Sequence, residues 1–486
     1  MASKVTIDPI TRLEGHGKIE IFLDDDGEVE NAYFQVPELR GFEAFCVGRP
    51  AEEMPRITPR ICGVCPTAHH MAATKCLDDL YKVQPSSTAR KLRELAYNAF
   101  YVEDHFLHFF FLGGPDFVVG PGAPAPERNI LGVIAKVGME IAGRVIRVRR
   151  ELRAMMQEMM GKVIHPVFGL PGGVSKGITK EQRMEFKKTA EFAVEFAQEA
   201  LAIFDKVVLQ NDTYVDLILS EAYIHRTYSM GLVDENNHPD FYDGMLRVVD
   251  PSGEEFARFH PGNYTEHIAE HVEPWSYITF PFLKKVGWKG FTDGAESGIY
   301  RVAPLARLNV ADSMATPRAQ AEYEKMFSTL GGKPSHHTLA FHWARLVEAM
   351  QAAERMIELL DDDEITGDDI RNLPTELPTE GVGVVEAPRG TLIHHYKTDP
   401  EGIITHVNLI VATNHNAAPI AMSVEKAAKG MVHGPEVTDG MLNLVEMAFR
   451  PYDPCLACAT HALGKTPLKA MIHDSSGKLI RTVVRD

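Results

Sequence analysis

Apolar and polar residues alternate along the first fifty positions. "KIEIFL" (18–23) and "VENAYFQV" (29–36) put every second side chain on one face, the period of a half-buried strand. The acidic "DDDGE" between them is a hairpin turn signal. The Ala-rich stretch behind Cys65 places that residue at the start of a helix. Over 86–112 the spacing becomes helical, and 128–162 reads as a second long helix. "IHPVFGLPGGVSKGITKEQ" breaks it with Pro and Gly. A third helix is expected over 180–222, opened by Thr179 with Glu181 and Gln182 behind it. Residues 230–310 read as irregular with short strands, 318–330 and 336–362 as helices, and 381–416 as short strands again. The predicted fold is mainly α with small β-sheets near the termini, an α+β chain. Its regions are an N-terminal β-rich part (1–50), a helical core (51–375) and a C-terminal β part (376–461).

The chain has 486 residues, which excludes one small domain and fits roughly two or three, or one large body around a shared core. Hydrophobic residues are 45% and charged residues 24%, an ordinary globular balance that excludes disorder and fibrous classes. The net charge of -17 argues against nucleic acid or anionic membrane as a partner. It favours solubility, or a partner with a basic docking face. The most apolar window, "FLHFFFLGGPDFVVG" (106–120), is interrupted by His, Asp, Pro and Gly, so no membrane span is expected. The N-terminus has neither an apolar signal core nor a twin arginine, and the expected compartment is the cytoplasm.

Six cysteines are too few for a disulfide scaffold in a chain of this length. Four of them form two C-x-x-C pairs, Cys62 with Cys65 in "RICGVC" and Cys455 with Cys458 in "DPCLAC". A C-x-x-C turn lets two sulfurs point at one ion, and four thiolates suit zinc, nickel or an iron–sulfur cluster. Structural zinc is the plain alternative, but zinc ribbons stitch local folds, whereas these pairs lie at opposite ends of the chain. Nothing around either pair is thioredoxin-like. Cys46 and Cys76 read as buried spectators.

"RICGVCPTAHH" and "DPCLACATH" resemble the two signature motifs of the large subunit of nickel–iron hydrogenases. "ITRLEGHGKIEI", "LRGFEAFCVGRP", "YVEDHFLHFFFL", "IHPVFGLPGGV", "VAPLARLN", "VEAPRG" and "NLIVATNHN" follow in family order, covering nearly the whole chain. The resemblance implies that Cys62, Cys65, Cys455 and Cys458 bind nickel. Cys65 and Cys458 would bridge to an iron carrying carbon monoxide and cyanide. It implies Glu14 as the proton-exit carboxylate, whose plain alternative is a strand-edge residue. Arg389 would lie over the open site, held by Asp104 and Asp453; for Asp453 a turn role before Pro454 is compatible. Pro388 and Thr413 would line the cyanides. Glu43, His461 and the Leu409 carbonyl would hold magnesium or a second iron. His69 or His70 would meet a bridging sulfur or face a partner, and Val64 would narrow the gas path or simply pack.

Only two cysteines remain once the centre is built, so no four-cysteine cluster fits in this chain and electrons must leave to an iron–sulfur small subunit. The resemblance adds further electron-transfer subunits of heterodisulfide reductase or diaphorase type, and a maturation endopeptidase that removes a C-terminal extension, here 462–486. The segments "LRGFEAFCVGRPAEEMPR", "DHFLHFFFLGGPDF" and "ERNILGVI" resemble the cytoplasmic, cofactor-coupled branch. Within it the methyl-viologen-reducing, heterodisulfide-reductase-linked type is the expectation, and the NAD-reducing bidirectional type the alternative. Two readings from other classes are a scaffold like the quinone-site subunit of respiratory complex I, which shares the ancestral fold without the nickel ligands, and a zinc-stapled interaction protein.

Overall fold

The computed structural model describes residues 3–434, 436–461, 468–473 and 478–485. Four long helices make the centre. Phe341–Asp361 packs on both Ser87–Leu107 and Lys180–Phe204, and Met139–Met160 closes the bundle against the same two. The Lys180–Phe204 helix carries the expected start signal as a full capping box, Thr179 with Gln182. The buried face of Ser87–Leu107 includes the polar residues Asp104 and His105, an early sign that the bundle interior is not purely apolar.

Small sheets surround the bundle. Ser3–Ile7, Lys18–Leu23 and Val29–Gln35 form an antiparallel meander. Ile19, Ile21 and Leu23 face the core in strict alternation, as the period-two pattern requires. A second meander consists of Glu380–Ala387, Gly390–Thr398 and Ile404–Ile410. The Pro66–Leu80 helix lies across it. Gly383 permits that approach, since a Cβ there would stand 2.1 Å from the Ala72 carbonyl oxygen.

Some elements differ from expectation. The helix over 128–162 is two, Ile130–Val137 and Met139–Met160, because Gly138 takes φ 90 and ends the first. The helix over 180–222 ends at Phe204, passes through a π-helical turn Asp205–Leu209, and restarts as Asp212–Leu219 behind the Asn211 cap. Sheet is not confined to the termini. Tyr228–Val233, Met245–Val249, Glu255–Phe259 and Tyr300–Arg301 form a four-stranded sheet in mid-chain, beside the hairpin Ile268–Val272 and Thr279–Leu283. The strand region over 381–416 is followed by an unpredicted helix, Ala417–Met431. Beyond His461, Leu468–His473 pairs with Leu479–Arg485. None of the described helices is long and apolar enough to cross a membrane.

Candidate metal centre

Cys65 and Cys455, one from each pair, stand immediately before helices. A 3-10 turn, Thr58–Ile61, delivers Cys62 in extended backbone, and Cys65 precedes Pro66, the first residue of the Pro66–Leu80 helix. The Val64 and Cys65 N–H groups donate to Cys62 Sγ at 3.2 and 3.4 Å. Cys455 precedes the single turn Leu456–Ala459. Across the pairs, Cys62 Sγ lies 3.2 Å from Cys455 Sγ and Cys65 Sγ lies 3.3 Å from Cys458 Sγ. All four sulfurs fall within 4.8 Å of one another and all four residues are buried. One ion with metal–sulfur bonds of about 2.3 Å accounts for that spread. Hydrogen bonds from Cys455, Cys458 and Cys65 hold Cys62 well below the usual thiol value, while burial pushes Cys455 and Cys458 up. Cys46 and Cys76 are buried and away from the cluster. Burial raises both, Cys46 to about 11, so both stay protonated thiols.

Glu14 is stitched to the second motif by its backbone. Its N–H donates to the Pro454 carbonyl at 3.3 Å, and Leu456 N–H donates to its carbonyl at 2.8 Å. Its carboxylate therefore lands on the cluster. Oε2 accepts from Cys455 Sγ at 3.0 Å and from Ala457 N–H at 3.1 Å. Burial raises Glu14 above the usual carboxylate range, and the Cys62 charge raises it further. A mere strand-edge side chain would make neither contact.

Arg389 occupies the tip of a hairpin that points inward. Ala387 pairs with Gly390, leaving Pro388 and Arg389 as the two-residue turn. Gly390 takes φ 127, a conformation that suits glycine. The Arg389 guanidinium is 2% exposed, 3.2 Å from Asp104 and 2.9 Å from Asp453. Burial raises Asp104, to about 7, against the pull of Arg389. Arg389 Nε is buried without a protein partner, so the arginine retains a donor. Asp453 also ends the turn Arg450–Tyr452 in left-handed backbone. Thr413 Oγ1 accepts from Cys455 N–H at 3.0 Å, and the Pro388 carbonyl accepts from Arg307.

The second set also comes together. Glu43 Oε1 accepts from Leu409 N–H at 2.7 Å and lies 3.8 Å from His461 Nε2. His461 Nδ1–H donates to the Cys458 carbonyl at 2.8 Å, leaving a buried Nε2 lone pair with no protein partner. That is the arrangement of a ligating imidazole whose tautomer is fixed from behind. In a strand the N–H and C=O of one residue point to the same side, so the Leu409 carbonyl lies on the same edge as its N–H. Burial raises Glu43.

The structure separates the two histidines behind Cys65. His70 is a brace: Nδ1–H donates to the Pro55 carbonyl at 2.7 Å, and Nε2 accepts from Gly169 N–H at 2.8 Å. His69 Nδ1 pairs with His394 Nε2 at 3.1 Å, and its Nε2 is buried without a protein partner. Both are fully buried, so neither faces a partner. Val64 is half-buried and Gly63 exposed.

Sequence reasoning missed Arg40 and Arg307. Arg40 donates to the Ile61 carbonyl, just before Cys62, and reaches the Ala457 carbonyl, just before Cys458, at 3.5 Å. One guanidinium thus ties the two motifs together. Arg307 holds the Arg389 turn. The available signal was a lone charge inside an apolar run, "PLARLNV", which is costly to bury without several partners.

The comparisons agree with this geometry. The family model described as nickel-dependent hydrogenase matches residues 40–122 and 295–461, and one described as HoxL-like matches 4–39. The chain belongs to the nickel-dependent hydrogenase family. It is 49% identical over 99% of both chains to an F420-non-reducing hydrogenase iron-sulfur subunit of Archaeoglobus profundus. It is 38% identical, again over 99% of both, to the NAD-reducing hydrogenase HoxS subunit beta of Cupriavidus necator. A crystal structure of an NAD+-reducing [NiFe]-hydrogenase in the H2-reduced state superimposes with a TM-score of 0.89 at 39% identity, covering 95% of this chain and 100% of that one. The protein is a nickel–iron hydrogenase large subunit, an oxidoreductase acting on dihydrogen. The buried four-cysteine set suits its nickel and iron.

Proposed function

We propose that this chain carries out reversible oxidation of dihydrogen to protons and electrons, with Cys62, Cys65, Cys455 and Cys458 as the nickel ligands and Cys65 and Cys458 shared with iron. Nickel and an iron carrying carbon monoxide and cyanide, when bound there, would supply the splitting of dihydrogen. Every other step falls to the side chains. Glu14 receives a proton at Oε2 from the Cys455 sulfur and passes it outward; the 3.0 Å contact between them is the observation that carries the reading. Arg389, anchored by Asp104 and Asp453, presents its free donor over the site, with Pro388 and Thr413 beside it. Glu43, His461 and the Leu409 carbonyl hold magnesium or a second iron, a hard-ion donor set.

Electrons leave on the side of the cluster where Gly63 is exposed. Gly63 surfaces between the first two cysteines, in a groove with Val64, Arg149, Arg153 and Ile164. An iron–sulfur small subunit docks there and passes electrons to heterodisulfide reductase, ferredoxin or another soluble acceptor in the cytoplasm. The likeness to the subunits named F420-non-reducing supports this branch. The likeness to the NAD-reducing structure supports a second reading, in which the acceptor is a diaphorase-type subunit. The intact four-sulfur set disfavours a complex I-like scaffold. The segment beyond His461, in which Leu468–His473 pairs with Leu479–Arg485, is the extension that a maturation endopeptidase would remove.

The test is metal analysis and infrared spectroscopy on matured protein. Nickel and iron in about equal amounts, with bands of metal-bound carbon monoxide and cyanide, are expected. Zinc as the sole stoichiometric metal in active protein would overturn the proposal.

A further inference from the structure

Arg307 lies in the short helix Pro304–Val310, fully buried, and its guanidinium is used on every edge. On one side Nε and Nη2 fork onto Glu348 at 2.6 and 2.7 Å, fixing the arginine to the Phe341–Asp361 helix. On the other, Nη1 donates to Glu386 Oε2 at 2.8 Å and to the Ala387 carbonyl at 2.9 Å, and Nη2 donates to the Pro388 carbonyl at 3.1 Å. Glu386, Ala387 and Pro388 are the three residues immediately before Arg389.

The same turn is gripped from further directions. The hydroxyls of Tyr97 and Tyr101 both donate to the Glu386 carbonyl at 2.8 Å. Glu386 Oε1 accepts from Thr391 at 2.8 Å and from Leu232 N–H at 3.0 Å. Glu348 accepts in addition from His105 at 3.1 Å, and His105 follows Asp104, the partner of Arg389. Glu348 therefore references both the turn, through Arg307, and the helix carrying Asp104, through His105, to a single helix of the bundle.

We propose that Arg307 is the positioning residue for Arg389, setting where its guanidinium stands by holding the carbonyls of Ala387 and Pro388. The proposal rests on the reading of Arg389 given above. Two carbonyls and two carboxylates converge on a planar fork whose geometry an ammonium cannot reproduce. A shift of the turn would move Arg389 without removing any group from the site.

Arg307→Lys, Arg389→Lys and the double variant test this in holoenzyme of matched nickel content. The readouts are turnover and the infrared cyanide bands, which report the iron's surroundings. Arg307→Lys is expected to lower turnover about tenfold and to move the bands. In the Arg389→Lys background it should add less than about twofold and no further band shift, since coupled residues are not additive. Arg93→Lys controls for loss of a buried forked arginine elsewhere: Arg93 holds Asp78 and the Gly173 carbonyl, and its loss should lower thermal stability with bands unmoved.

Wild-type turnover and bands in Arg307→Lys, beside an altered Arg389→Lys, overturn the proposal alone. Equal fold losses in both backgrounds overturn it too, by making Arg307 an independent structural residue. Unchanged Arg389→Lys removes the Arg389 reading first. Should Arg307→Lys fail to accumulate, Glu348→Gln loosens the far side of the fork with little change in volume and is read against the same outcomes.

Discussion

Glu14→Gln separates proton transfer from packing. The backbone bonds of Glu14 to Pro454 and Leu456 do not involve its side chain, so the strand pairing survives. The glutamine oxygen can still accept from Ala457 N–H, now 3.1 Å from Oε2. The stability change should therefore stay within about 1 kcal/mol, the net worth of one hydrogen bond. Turnover should fall far more. The amide cannot take a proton from the Cys455 sulfur, and a positioned acid–base group contributes on the order of 10²–10⁴ in rate. That range corresponds to about 2.7–5.5 kcal/mol of barrier. The assay is hydrogen–deuterium exchange with water, followed by mass spectrometry on matured enzyme of matched nickel content. Exchange and turnover should collapse together while metal content and infrared bands persist. Conversion of ortho- to para-hydrogen can survive, because it requires no proton release to solvent. Exchange at the wild-type rate would refute the assignment and turn attention to the His69–His394 pair behind Cys65.

Cys65→Ser and Cys458→Ser should each abolish activity and leave the centre lacking metal, checked by nickel and iron analysis; full activity in either would break the bridging assignment. Arg389→Lys should keep both metals and lower turnover at least tenfold, about 1.4 kcal/mol of barrier, because lysine loses the planar fork shared by Asp104 and Asp453. Asp116→Asn should destabilise the fold by about 3–5 kcal/mol at neutral pH, because Arg12 and Arg450 lose a buried counter-charge. Burial opposes ionisation of Asp116, but the two arginines prevail and its folded pKa is lowered. Its contribution is thus full above the unfolded carboxylate value of about 3.9 and is lost as pH falls through the folded value. The gap between wild type and variant in denaturant midpoints should narrow only below about pH 4; a gap that closed between pH 7 and 5 would contradict the assignment.

The chemistry was more legible than the architecture. Two C-x-x-C pairs at opposite ends of the chain announced one site, because thiolates in that spacing have few uses outside metal binding. The strands at 18–23 and 29–35 and the helices at 87–107 and 341–361 followed from periodicity. Short strands were expected over 230–310, but not their pairing into a four-stranded mid-chain sheet. Tyr228–Val233 is buried at every position, so it shows no alternation to distinguish a strand from a loop entering the core. Ala417–Met431 was hidden for a related reason. Its first half is buried on all sides, and Pro419 near its start resembles a breaker although it sits in the first turn, where proline is tolerated. The break at Gly138 was invisible because an isolated glycine in a helical pattern is usually carried through.

What the sequence could not display is how the ends meet, and this explains why the site needs the whole chain. Cys62 and Cys455 meet inside the apolar core, and three separate polar staples close the fold around them. Arg40 bridges carbonyls beside both motifs while its own N–H donates to the Thr460 carbonyl at 2.8 Å. Asp116 joins Arg12, two residues before Glu14, to Arg450, five residues before Cys455. Arg307 joins the Phe341–Asp361 helix to the Arg389 turn. In each case an arginine with several acceptors, buried at Arg307 and Arg450 and exposed at Arg40, replaces the local contacts that a single short motif would have used. Buried ion pairs of this kind contribute little net stability relative to apolar packing but penalise mispairing heavily, since each leaves an uncompensated charge if its partners are absent. A bimetallic site with ligands at both ends of the chain has to exclude near-native arrangements in which one pair is displaced by an ångström. Directional, many-acceptor arginine contacts exclude them more sharply than apolar packing, which is non-directional.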